Sequence, residues 1–147
     1  MARVARGFLI VVSILNGLAG IVCGVLFIAG PDGRFMQAGA LLPVVQQLPL
    51  ATVFFRNFVW IGVVMLLVLG IPNSIAAVML LRKSSKQYLV TLAAGILLIL
   101  WCGFELLFMF NALAVAYFVV GLLSILSSIV LLDRNRQEGA SRHRETR

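Results

Sequence analysis

Glu105 stands inside "WCGFELLFMF", Trp101 to Phe110, and no other carboxylate of the chain lies within a long apolar run. An acid in such a setting can carry a proton or a cation, and acids within a membrane often mark ion paths. It can also be a buried, hydrogen-bonded group that locks helices together. The two readings need different company. A proton path needs a relay of titratable groups, yet there is no second acid in an apolar run, and the one histidine, His143, lies in the polar tail. The structural reading is therefore preferred. An ionised acid at a bilayer centre costs about 2.5–3.5 kcal/mol on insertion scales. Glu105, about 9 Å inside the outer end of its helix, should cost less. Protonation, pairing with Arg56, or exposure to a wet cavity would each remove that cost. Trp101, one turn earlier on the same helical face, could donate its indole N–H to the carboxylate.

Two amides complete the polar set within the apolar runs. Asn16 falls near the middle of the first run and Asn73 toward the far end of the second. What the chain lacks excludes several chemistries. With no histidine in an apolar run, haem ligation has no usual ligand. Zinc has no ligand set, because Cys23, Cys102 and Glu105 are scattered over separate runs. There is no Ser/His/Asp set for hydrolysis and no glycine-rich phosphate loop; "GPDG" is a turn. The cysteines are single and unpaired in sequence, and read as small apolar filler. No cofactor, no metal and no enzymatic activity are expected.

The elements that must position these residues follow from composition. The chain has 147 residues, is 62% hydrophobic and only 12% charged; a soluble domain carries about 25% charged residues. Four apolar runs, about 7–30, 57–81, 88–110 and 113–132, are each long enough to cross a hydrocarbon core of about 30 Å. In lipid every backbone group must be satisfied within its own segment, so the runs are read as helices. The first is too long for the apolar stretch of a signal peptide and is read as a retained span. The expected fold is an all-α membrane domain over 1–132, a four-helix antiparallel bundle, with 133–147 as a disordered polar tail.

Lys and Arg then give orientation. Arg3 and Arg6, then Arg82, Lys83 and Lys86, then Arg134, Arg136, Arg142, Arg144 and Arg147 all fall on one side, with only Arg34 and Arg56 on the other. The positive-inside rule puts both termini and the "RKSSKQ" turn in the cytoplasm. The net charge of +7 thereby has a topological explanation, and nucleic acid is not an expected partner. Tyr88 falls at the inner interface, and Trp60 and Tyr117 near the outer one. The connections through "RKSSKQ" and near Asn111 to Ala112 are short and imply antiparallel neighbours. The connection over 31–56 is too apolar for a solvated loop and too broken by Pro43 and Pro49 for a span. It is read as one or two short amphipathic segments lying on the outer membrane surface or capping the bundle, with a short strand pair as the alternative.

Helices in lipid associate through close backbone approach and hydrogen bonds. Each run offers small residues for this: Gly17, Gly20 and Gly24; Gly62 and Gly70; Gly95 and Gly103; Gly121, Ser124 and Ser128. Pro72, in "LGIPNS", should kink the second helix and free carbonyls near Val68, which Asn73 and Ser74 can satisfy. The same small faces would also suit a homo-oligomer.

The stretches "GLAGIVCGVLFIAGPDG", "FFRNFVWIGVVMLLVLGIPNSIAAVMLLRKS" and "GILLILWCGFELL" resemble a group of small bacterial four-helix membrane proteins of unassigned activity. The likeness covers about Gly17 to Gly121 and implies the topology alone. Small multidrug transporters are also four-helix proteins with one membrane glutamate, but carry it in the first helix, where this chain has Asn16. The function expected is a non-enzymatic multi-pass bundle that binds the lipid bilayer and a membrane-protein partner or a second copy. The alternative is a small-molecule or ion transporter or channel using Glu105. A lipid-acting enzyme comes third, for want of chemistry.

Overall fold

The computed structural model describes residues 2–47, 56–108 and 111–145. Four long helices carry the chain: α1, Ala2–Ala29; α2, Val59–Leu81; α3, Gln87–Phe108; and α4, Ala112–Glu145. All four are long and apolar enough to cross a membrane. Among the described residues there is no strand. Between α1 and α2 lie two 3-10 turns, Arg34–Met36 and Gly39–Leu41, and one helical turn, Leu42–Val45. Residues 48–55 lie outside the described part, so the expectations for the amphipathic connection over 31–56 are met only as far as short helical turns.

The helices pack in a closed order, α1 on α2, α2 on α3, α3 on α4 and α4 on α1. The α1–α2 seam follows from glycine. A methyl group on Gly17 would stand 2.8 Å from Ser74 Oγ, and one on Gly24 would stand 2.9 Å from the Gly62 carbonyl oxygen. On Gly20 it would collide with the Gly70 backbone nitrogen and lie 2.7 Å from Gly70 Cα. These backbones touch because neither carries a side chain in the way, which is the packing lipid favours. Across α3 and α4, Gly95 and Gly121 approach each other's carbonyl oxygens to 3.4 Å in the same sense. Gly103 departs from this expectation. Its nearest neighbour would be Phe118 Cε2 at 4.0 Å, so its lack of a side chain is not what lets α4 approach.

Two apolar clusters mark the ends. Leu9, Leu80, Tyr88 and Leu131 bring all four helices together at one end. Phe27, Ala38 and Phe58, with Phe104 against them, gather at the other, where the Phe27 and Phe58 rings stack at 5.1 Å. Tyr88, expected at a lipid interface, is instead buried in the first cluster.

The local signals act where the sequence put them, with two departures. α1 stops before Gly30 and Pro31, and Gly33 takes the left-handed conformation, φ 78°. The loop is tied back by the Phe58 N–H donating to the Pro31 carbonyl at 2.9 Å. Just before Pro72 the helix widens into a π turn over Leu66–Gly70. Pro72 has no N–H, and its ring crowds the carbonyl four residues back; a wider turn relieves both. Asn73 Nδ2 donates to the Leu69 carbonyl at 2.9 Å, the role expected of it, one carbonyl along. The larger departure is the tail. It was read as disordered after Leu132, but α4 runs on to Glu145. Once a membrane span has nucleated a helix, each added residue needs only one more bond. "DRNRQE" supplies four good helix formers, two Arg, Gln and Glu, and a Gln137 to Asp133 side-chain hydrogen bond of 3.1 Å.

Candidate functional site

Glu105 has a partner other than the arginine expected for it. Glu105 is half-buried near the end of α3. Asn111 Nδ2 donates to its Oε1 at 3.1 Å. The other side of the same amide, Asn111 Oδ1, accepts from the Ala114 N–H at 2.7 Å. Asn111 directly precedes α4, so this is an N-cap bond to the third helical residue. One amide therefore closes the start of α4 with its oxygen and holds the acid of α3 with its nitrogen. A carboxylate near a helix N-terminus is also favoured by the positive end of the helix dipole.

The expected Arg56–Glu105 pair does not form. Arg56 is exposed, and an ion pair at that end of the molecule joins Arg34 to Asp32 instead, at 3.9 Å on the surface. The Arg56 side chain stays outside the apolar body, while its backbone oxygen accepts from Gln46 Nε2 at 3.3 Å. The indole of Trp101 does not serve Glu105 either. It stacks on Phe104, with ring centroids 5.8 Å apart. The three candidate amides and acid do not converge: Asn73 is spent on the Leu69 carbonyl, Glu105 on Asn111, and Asn16 is buried with Nδ2 lacking an acceptor. Cys23 and Cys102 are both free thiols. Among the described residues no three His, Cys, Asp or Glu side chains gather as a metal site.

A second polar seam was only half foreseen. Ser124 and Ser128 lie along one stripe of α4, as expected. Ser124 Oγ donates to the Val120 carbonyl at 2.8 Å, and Ser128 Oγ to the Ser124 carbonyl at 2.7 Å. Their partner across the seam is Thr91 of α3, whose Oγ1 lies 2.8 Å from Ser128 Oγ and 3.0 Å from the Tyr88 carbonyl. Thr91 and Ser128 own one hydroxyl proton each but touch three acceptors. A bond across the helices therefore forms only when one hydroxyl gives up its backbone bond. Thr91 was overlooked because one hydroxyl in an apolar run costs little and gives no warning; its spacing opposite the serine stripe is visible only in the fold.

Arg6 was read as a topology signal alone. In the fold its Nη2 also donates to the Leu80 carbonyl at 2.7 Å, close to the C-terminal end of α2. That carbonyl is among the last four of its helix, and the Arg6 bond adds to the long Lys83 N–H bond of 3.3 Å that it also accepts.

No family model matches the chain, and neither the curated proteins nor the solved structures contain a match.

Proposed function

We propose that this chain is a four-span antiparallel bundle of the bacterial inner membrane, with both termini in the cytoplasm, and that it acts without enzymatic chemistry by binding lipid or a membrane partner. It belongs, on this reading, with the small bacterial four-helix membrane proteins it resembles. The observation that carries the non-transport part is the use made of Glu105. Its carboxylate oxygen is engaged by the same side chain that caps α4, which is a structural joint between helices. Support for the antiparallel arrangement comes from the end clusters, where the starts of α1 and α3 meet the end of α2. The exposed Phe35, Met36 and Leu41 on the turns after α1 suit a loop lying on the outer membrane surface. The exposed apolar faces, Leu15, Leu100 and Leu126 among them, leave room for a second copy or a membrane partner to dock.

The transport reading draws on one observation, the buried Asn16 amide whose Nδ2 has no acceptor. Proteoliposomes separate the two. The bundle reading predicts that wild type and Glu105→Gln liposomes pass protons and monovalent cations no faster than protein-free ones. A flux that appears with wild type and vanishes with Glu105→Gln would establish transport instead.

A further inference from the structure

The basic end of the molecule holds an open cavity of about 210 Å³. Arg3 and Arg6 of α1, Tyr88 of α3, and Leu131, Arg134 and Asn135 of α4 line it. Three arginines thus line one small space, and among the described residues no Asp or Glu lines it. The neighbouring acid in sequence, Asp133, is exposed and accepts from Gln137. The cavity lies beside the apolar cluster of Leu9, Leu80, Tyr88 and Leu131, of which Tyr88 and Leu131 belong to its own wall. Its chemistry is therefore two-sided: a cationic rim beside an apolar core, at the level where a membrane span ends.

The geometry points to a binding site for the phosphate group of an anion, with an anionic phospholipid headgroup as the occupant that suits the position. Guanidinium forks match phosphate oxygens in a bidentate way that ammonium groups do not. Basic pockets between spans on the cytoplasmic side are the setting in which headgroups bind. The Arg6 group is partly fixed beforehand, because its bond to the Leu80 carbonyl anchors one nitrogen to α2. Asn135 adds an amide able to donate to a headgroup oxygen. An occupant would bridge α1 and α4 and would join the helix ends it touches. The inference deepens the lipid-binding reading above and rests on it.

The test uses the full chain in nanodiscs of phosphatidylcholine, with phosphatidylglycerol added in one arm and inorganic phosphate in the other. The thermal midpoint against ligand concentration gives apparent affinity. Arg3→Gln with Arg134→Gln removes two exposed cavity charges and leaves the Arg6 bond to α2 intact. Arg82→Gln with Lys86→Gln removes the same charge from the same end outside the cavity. The site predicts about thirtyfold weaker phosphatidylglycerol binding for the first pair, on the scale of the charge-assisted hydrogen bonds lost. It predicts less than about a threefold change for the second pair, whose charges act on the headgroup only through screened solvent, and a partial loss in Arg3→Lys with Arg134→Lys, which keeps the charge and gives up the fork. Protection by phosphatidylglycerol alone identifies the lipid; equal protection by inorganic phosphate identifies a soluble anion. Equal loss in both double variants, or no loss in the first, overturns the site, as does a midpoint indifferent to both anions. A chain released from membranes by an alkaline carbonate wash would instead overturn the membrane reading itself.

Discussion

Asn111 shows how one side chain can decide what an acid is for. Its amide serves the α4 N-terminus with one atom and Glu105 with the other, so the acid is part of how α3 turns into α4. Glu105→Ala and Asn111→Ala should then be non-additive in stability, with a coupling of about 0.6–1.7 kcal/mol, the range of hydrogen bonds between membrane helices. Asn111→Ala should be the more costly single change, because it also removes a cap of about 1 kcal/mol. Glu105→Ala with Arg56→Ala should add simply. Reversible unfolding in mixed micelles measures all three. That Glu105 was unusual could be read from its apolar surroundings. Its partner could not, because an asparagine at a helix boundary reads as a turn, and the arginine that charge alone would choose points away from the apolar body.

At the scale of the helices, glycine does two jobs that look alike in sequence. Gly20 faces Gly70 backbone to backbone, so a methyl group has nowhere to go without moving a helix. Gly103 faces open space out to Phe118. Gly20→Ala should destabilise by about 1–3 kcal/mol, as overpacking does. Gly103→Ala should be neutral or stabilising by up to about 1 kcal/mol, from helix propensity alone. Denaturant titration in micelles compares them; equal losses would mean that the α1–α2 seam is less tight than drawn. Spacing placed Gly17, Gly20, Gly24, Gly62 and Gly70 on packing faces, since a shared stripe on one helix needs only the helical period. Whether a glycine meets backbone or a side chain depends on where the neighbouring helix crosses, which no single helix encodes. The π turn before Pro72 was foreseen only as an interruption, and the continuation of α4 past Leu132 was hidden because polarity marks where lipid ends, not where a helix does.

Over the whole molecule the usual distribution of side chains is reversed. Leu15, Leu100 and Leu126 point outward, exposed by 61%, 65% and 59%, while Ser13, Asn16, Asn73, Thr91 and Ser128 are buried. In water, apolar surface on this scale would drive association. In a bilayer it is the correct outside, and the small and polar residues within supply the contacts that lipid cannot. This is why four spans were legible from composition, with boundaries within a few residues for α2 and α3: hydrocarbon length is a strong constraint on sequence. On the proposed topology the cavity lined by Arg3, Arg6 and Arg134 lies on the cytoplasmic side with the α2–α3 turn. The most direct test is labelling of single cysteines by a membrane-impermeant maleimide in intact cells, with Cys23 and Cys102 replaced by alanine. Asp32→Cys should label from outside, and Ser84→Cys only after permeabilisation. Outside labelling of Ser84→Cys, or labelling of both positions from the same side, would contradict it.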